Sequence, residues 1–412
     1  MIPLTLDEVR ALAPGRLEGG TERITGVKVD SRCVEPGDLF VAVPPRGEAF
    51  LGDARARGAA ATLVPDDAHA ALAAIAGAVR ARSDAQVVGI TGSVGKTSTK
   101  DLVAALLRSR FRTVAAERGF NTEIGLPLTI CRIEPDTEVV VTEIAMRGLG
   151  QIRELAQIAR PHIGVITSIA PVHLEMLGSL ENIARAKAEL LEELEPGSVA
   201  VLPQDAPELE PFVPDGLDIR RFGPPEAEVR DGRTHVRWRG RDVVFGFTAR
   251  HQATNAAAAL TVAEALGVWP PAGPVDVEFS YLRSQEIALP GGGLLLNDSW
   301  NANPVAMRAA LAHLLERADG RRTVAVLGEM AELGPEAPRF HAEIGEAAAD
   351  ADVVVGVGEL ARGYRPDEWV ATAADAVELV TRLVRPGDVI LVKGSRSVGL
   401  EVVADALVEP PA

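Results

Sequence analysis

The stretch Val87-Val88-Gly89-Ile90-Thr91-Gly92-Ser93-Val94-Gly95-Lys96-Thr97-Ser98 sets a glycine-rich turn between an apolar run and a segment of helical pattern. A buried strand, such a turn and then a helix start make the context a phosphate cradle requires. Glycine lets backbone N–H groups approach phosphate oxygens closely, and the helix N-terminus adds partial positive charge. Thr91, Gly92, Ser93, Val94, Gly95, Lys96, Thr97 and Ser98 are therefore read as a nucleotide-binding loop. In it Lys96 reaches the β- and γ-phosphates, and the Thr97 hydroxyl is a ligand for Mg²⁺. Ile90 stands where the strict pattern has glycine, with Gly89 one place early. A chance Gly-Lys-Thr turn is the alternative.

Around this loop the chain alternates strand and helix, which predicts a mostly parallel sheet. Buried strands are expected at Val87–Thr91, Val139–Thr142, Ile163–Thr167 and Val199–Leu202, with helices at Thr97–Arg108, Gln151–Ala159, Glu181–Leu194 and Ala253–Leu266. An alternating stretch between Arg233 and Phe247 reads as a β-hairpin turning at Arg239-Gly240-Arg241-Asp242. Before the loop lies a small α/β unit, with strands at Val27–Val29, Leu39–Val43 and Ala60–Val64 and a helix at Ala68–Arg80. After the Pro/Gly-rich segment Trp269–Pro274, strands recur at Leu294–Leu296, Val324–Leu327, Val353–Val357 and Val389–Val392. Asn303-Pro304 starts a helix, with Asn as cap and Pro at the first helical position.

The 412 residues fit two to three domains at about 150 residues each. A three-domain α/β protein is predicted, divided at residues 1–83, 84–282 and 283–412. A net charge of −16 argues against nucleic-acid binding, because phosphate backbones reward an excess of Lys and Arg. Cys33 and Cys131 are too few for a disulfide framework or a cysteine zinc site, and each is read as a small buried apolar residue. The start of the chain has no signal-peptide pattern, and no apolar run is long enough to span a bilayer. A cytoplasmic protein without membrane insertion is expected.

Glu143 ends the apolar run Val139-Val140-Val141-Thr142, where the carboxyl ends of parallel strands face the ligand crevice. It reads either as a solvated acid or as an oxygen ligand for magnesium. His173 follows the next strand and, as a lone loop histidine, reads first as a surface or packing residue. Lys187 shares one helical face with Ile183, Leu190, Leu191 and Leu194, which puts it on the apolar side. It either snorkels outward or is partly buried with a lowered pKa. A neutral amine of the second kind can add CO₂ and become a metal-binding carbamate.

Together these pieces resemble the Mur ligase family. The resemblance runs over essentially the whole chain. It takes in the loop Thr91–Thr97, Asn121-Thr122-Glu123-Ile124-Gly125-Leu126-Pro127, Glu143, His173-Leu174-Glu175, Ala186-Lys187-Ala188-Glu189 and His251-Gln252-Ala253-Thr254-Asn255. Asn297-Asp298-Ser299-Trp300-Asn301-Ala302-Asn303-Pro304, Gly328–Gly334 and Lys393-Gly394-Ser395-Arg396-Ser397 are similar to the member that adds D-alanyl-D-alanine to UDP-N-acetylmuramoyl-tripeptide. The Asp-Asn-Pro-Arg signature typical of the ligase for the third residue is absent. Folylpolyglutamate synthases share the ATPase core but lack an N-terminal domain carrying a counterpart of Asp30-Ser31-Arg32…Pro36-Gly37-Asp38.

The resemblance implies a uridine-nucleotide-binding N-terminal domain, a central P-loop ATPase domain and a Rossmann-like C-terminal domain. It implies an ATP-dependent amide-forming ligase working through an acyl phosphate, with Lys96, Lys187, His173 and Glu143 as catalytic residues. Thr97, Glu143, His173 and a carbamylated Lys187 would hold Mg²⁺. Asn255, Arg283, Asp298 and Asn301 would join the loop in holding ATP. Ser31, Arg32, Asn121, Asn303, Lys393, Ser395 and Arg396 would face the other substrates. A monomer is expected. Trp300 stands where the family usually has Tyr, Ser168 where Asn is common, and Arg46–Phe50 replaces a Gly-His-Asp-Phe stretch. A related ligase for a single amino acid, and a non-catalytic nucleotide-gated binding module, are the competing readings.

Overall fold

The computed structural model describes residues 1–20, 23–172 and 174–408. The polypeptide opens with the short helix Leu6–Leu12, started by a reciprocal pair of bonds. The Thr5 hydroxyl accepts from the Glu8 amide, and the Glu8 carboxylate accepts from the Thr5 amide. Strands Gly26–Lys28, Asp38–Val41 and Ala61–Pro65 pair in parallel, and Gly15–Gly19 adds antiparallel to the last of them. That edge strand has only one half-buried position, Leu17, so its alternation is too weak to read from sequence. Cys131 is buried as expected, but Cys33 is exposed, because it sits in the surface turn Ser31–Cys33.

The central sheet has six strands, all paired in parallel. Their order is Asp218–Phe222, Val199–Pro203, Ile163–Ile166, Gln86–Thr91, Val139–Glu143 and Thr113–Ala115. The chain leaves Gln86–Thr91 for one side of the sheet and later fills the other, so the glycine turn lies at a switch point of strand order. A three-stranded antiparallel sheet follows, in which Trp238 pairs with Arg241. The two turn residues, Arg239 and Gly240, both have positive φ, as a tight hairpin turn needs.

The C-terminal sheet runs Gln285–Ala288, Leu294–Asn297, Val389–Lys393, Thr323–Gly328, Val353–Val357 and Glu368–Val370. Only its first pair is antiparallel. The three-part α/β architecture matches the expectation.

The cores do not follow the sheets. Leu72, Ile75 and Val79 of the helix Ala68–Arg80 share one continuous core with Leu126, Ile130, Ile152, Leu155 and Leu190 of the central part. Arg80 staples the same seam, its buried guanidinium donating to the carbonyls of Ala159 (2.9 Å) and Arg160 (3.3 Å).

Glu286, on the edge strand of the last sheet, ties that sheet to its neighbours. Its carboxylate is bonded to the His313 ring (3.1 Å), to two nitrogens of Arg317 (both 3.0 Å) and to the Thr248 hydroxyl. Burial pushes its pKa up, but these hydrogen bonds outweigh it and hold the group at about 2. A depressed carboxyl pKa gives stability above the unfolded-state value that is lost as pH falls toward the folded one. Glu286→Gln is expected to lower stability at neutral pH by up to roughly 3 kcal/mol. The gap in thermal midpoint between the two proteins should close as pH falls from about 4.5 to about 2; a gap independent of pH would contradict this.

Candidate active site

The glycine turn is built so that only glycine fits. Gly92 and Gly95 have φ of +145° and +90°; a Cβ on Gly92 would lie 1.9 Å from the Thr167 hydroxyl, and one on Gly95 would lie 2.3 Å from Asn255 Oδ1. The neighbouring strand-end segment holds the turn in place. Thr167 Oγ1 donates to the Val94 carbonyl (2.6 Å), Ser168 Oγ accepts from the Val94 amide (2.9 Å), and Ser93 Oγ donates to the Ala170 carbonyl (3.0 Å). Ser168 thus performs a structural duty at the loop. Helix Lys96–Leu107 starts at Gly95 with no side-chain cap, which leaves its first-turn N–H groups without an intrahelical partner.

Those groups open into a cavity of about 290 Å³. Ser93, Val94, Gly95, Lys96, Thr97 and Ser98 form its floor. Asn255, packed against Gly95, lines it too, with Arg283, Asp298, Asn301, Asn303 and Lys393. Thr91 and Gly92 do not line it: Thr91 is fully buried, and the Gly92 carbonyl accepts from Lys96 Nζ at 2.7 Å. A second cavity, about 750 Å³, extends from Lys96, Asn121 and Glu143 to Ser395 and Arg396. Lys96, Arg283 and Asn301 line both. Lys96 therefore marks the passage between a phosphate-type pocket and a larger polar one.

At this passage Glu143 is buried, while Lys96 and Arg283 are half-buried. Burial lowers the Lys96 pKa, which the Glu143 carboxylate opposes and Arg283 reinforces. Lys187 is 2% exposed on the helix Leu180–Glu192, so it is buried and does not snorkel. Burial holds its ammonium well below the usual lysine value, and the charge of Lys96 pushes the same way. Glu143 Oε1 accepts from Asn121 Nδ2 at 2.9 Å. Arg283 stands between two residues of positive φ, Leu282 (64°) and Ser284 (45°), and its Nε is buried without a hydrogen-bond partner. Both outliers are costly for non-glycine residues, and they sit at the connector that carries a site arginine.

Other expected residues have different surroundings. Lys393 and Asn303 line the phosphate-side cavity and not the larger one, and internal bonds occupy both. Lys393 Nζ donates to Asp298 Oδ2 (2.5 Å) and to the Asn301 carbonyl (2.9 Å). Asn303 Oδ1 caps the helix Pro304–Ala318 by accepting from the Ala306 amide. Ser31 and Arg32 line neither cavity; Ser31 is bonded to Asp53, and Arg32 is paired with Asp30. His173 lies outside the described residues.

Sequence reading missed His69, which brings the N-terminal unit into the larger cavity. It also missed Arg118, whose guanidinium stacks on Trp300 (4.6 Å) and Tyr281 (5.0 Å). Neither carries a periodic or motif signal.

The donor set fits magnesium. Thr97 and Glu143 offer oxygens, and among the described residues no group of three His, Cys, Asp or Glu side chains gathers to enclose a metal. An ion that completes its shell with water and phosphate needs no such group.

Comparison with known proteins bears on the whole chain. The Mur ligase middle domain matches residues 90–263, and the Mur ligase, glutamate ligase domain matches residues 283–396. The UDP-N-acetylmuramoyl-tripeptide–D-alanyl-D-alanine ligase of Escherichia coli is 33% identical over 99% of this chain and 99% of its own. The chain belongs to the Mur ligase family. The ligase of the same name from Mycobacterium tuberculosis is 34% identical over 99% of this chain and 98% of its own. Among solved structures, MurF from Acinetobacter baumannii superposes with a TM-score of 0.85 at 25% identity, covering 99% of both chains. MurF ligase from Thermotoga maritima in complex with ADP gives 0.80 at 27%, covering 93% of this chain and 96% of that one.

Gly95→Ala in this Mur ligase should keep the fold while weakening ADP binding tenfold or more, because the new methyl collides with Asn255 or displaces the turn. Calorimetric titration checks this, and unchanged affinity would refute it.

Proposed function

We propose that this chain joins D-alanyl-D-alanine to UDP-N-acetylmuramoyl-tripeptide, coupled to cleavage of ATP to ADP and phosphate, in peptidoglycan precursor synthesis. One structural observation carries the reading. Lys96, at the head of the glycine turn, is shared by a phosphate-type pocket and a second cavity large enough for a peptide end. Full-length likeness to ligases of that name supports the choice of substrates. The reading also keeps the division at residues 1–83, 84–282 and 283–412, a monomeric state and a cytoplasmic location. No helix among the described residues is long and apolar enough to cross a membrane.

In the proposed reaction an oxygen of the tripeptide's terminal carboxylate attacks the γ-phosphorus of ATP. The bond to the ADP oxygen breaks, and an acyl phosphate forms. The amine of D-alanyl-D-alanine then attacks the acyl carbon, loses a proton and expels inorganic phosphate. Lys96 and the first-turn amides stabilise the transferring phosphoryl group, a task of positioning and electrostatics. Arg283 places a second cation between the two cavities and eases the approach of two anions. Asn255, Asp298 and Asn301 hold the nucleotide, and Lys393 keeps Asp298 and Asn301 in place. Asn121, Ser395 and Arg396 face the peptide side. Alignment of amine and acyl group contributes through effective molarity, up to about 7–11 kcal/mol in well-oriented reactions.

Thr97, Glu143 and His173 are assigned to Mg²⁺, which when bound neutralises phosphate charge. Lys187 joins them as a carbamate: its neutral amine adds to the carbon of CO₂, loses a proton and becomes an anion. Its burial supports this step, because burial favours the neutral amine.

Release of ADP should require the UDP-linked tripeptide and D-alanyl-D-alanine together, measured by a coupled assay. Release driven by a single amino acid, with none from the dipeptide, would defeat the assignment. Protein equilibrated with ¹³C-bicarbonate should show a carbamate carbon resonance that Lys187→Ala abolishes. Absence of that signal in the unmodified protein would remove the carbamate.

A further inference from the structure

In the C-terminal part, the segment after strand Thr323–Gly328 forms one end of the larger cavity through Ala331 and Glu332. Its backbone is held at four successive points. The Tyr364 hydroxyl donates to the Gly328 carbonyl (2.9 Å), and the Ser395 amide donates to the Glu329 carbonyl (3.0 Å). The Met330 amide donates to His341 Nε2 (3.0 Å), and the Ala331 amide donates to Ser395 Oγ (2.9 Å). Glu332 follows with φ of +62°, a conformation a free chain rarely keeps.

His341 is fully buried and lines neither cavity, so it has no access to substrate. Its Nδ1 is bonded to the Ala337 carbonyl at 2.7 Å, one turn back on the helix Ala337–Ala348. That bond places the proton on Nδ1 and leaves Nε2 as the acceptor for Met330. The ring stacks on Tyr364 with centroids 5.0 Å apart, and a Cβ on Gly363 would come within 2.9 Å of His341 Cβ. Burial lowers the imidazole pKa, opposed by the Ala337 bond and the charge of Glu329. The ring thus stays neutral and keeps its acceptor.

We propose that His341 is a positioning residue for the ligation: through Met330, and backed by Tyr364, it sets the Gly328–Glu332 segment as the wall against which the incoming amine is held. The same wall touches the central part, since Gly334 packs against Glu175 and the Glu175 amide points at the Glu332 carbonyl (3.5 Å). Its position therefore sets one end of the larger cavity. The proposal rests on the ligase reading above for the identity of the amine.

The test uses the full chain with His341→Leu, which keeps bulk and loses the acceptor, and His341→Gln, whose amide oxygen can replace Nε2. His341→Leu is expected to raise KM for D-alanyl-D-alanine about tenfold, the scale of one lost buried hydrogen bond. Its ADP affinity should stay within twofold, and His341→Gln should recover most of the loss. Amide hydrogen exchange at Met330 and Ala331 should quicken at least tenfold in the Leu variant and return in the Gln variant. Should His341→Leu not fold, Tyr364→Phe reads the same exchange with only a hydroxyl removed. Unchanged exchange, or equal losses for dipeptide and nucleotide in both His341 variants, would overturn the proposal. If the unmodified protein fails to use D-alanyl-D-alanine, the ligase reading fails, while the exchange measurement still decides what His341 holds.

Discussion

The bond from Lys96 Nζ to the Gly92 carbonyl depends on a backbone path open only to glycine. Gly92 and Gly95 lie in the left-handed half of conformational space, pressed against Thr167 and Asn255, and between them they bend the chain from strand into helix. The bend turns the first amides of the helix toward one cavity and places Lys96 on the boundary with the next. The other cationic groups of the cleft take their meaning from that boundary. Arg283 sits on it, Lys187 lies near enough to feel the charge of Lys96, and Lys393 holds Asp298 at the rim of the first cavity.

A chain of net charge −16 thus presents cations where its proposed substrates carry anions. Net charge governs long-range behaviour, whereas a pocket is governed by the few charges that its low-dielectric walls leave unscreened. Desolvation works against each of these cations, as the lowered pKa of Lys96, Arg283 and Lys393 shows. Glu143 and Asp298 oppose part of that cost. A cleft of this kind is short of negative charge, which is what a triphosphate and a carboxylate supply together.

Much of this was legible before any coordinates. The strand–turn–helix context marked the phosphate loop, and periodicity placed Lys187 on a buried face, where it lies 2% exposed. Parallel strands with apolar runs were found because both faces of the sheet are covered, which leaves a continuous signal. The rest was hidden for physical reasons. Gly15–Gly19 and the edge strand Glu368–Val370 bury too little to pattern their sequence. Lys393 and Asn303 belong to motifs, and a motif does not say which side of a wall a side chain serves or whether an internal bond already holds it. His69 and Arg118 reach the site region only through long-range packing, which no local spacing records.

The core shared between the helix Ala68–Arg80 and the central helices has a mechanical consequence. Pulling the N-terminal part away would expose Leu72, Ile75 and Val79 together with their partners, so that part behaves as a fixed post beside Lys96. Whatever is anchored on the post is offered to the catalytic passage at a set reach. Under the proposed function the protein would act as a gauge: a tether too short stops before the lysine and one too long overshoots it, so length itself becomes a criterion for admission.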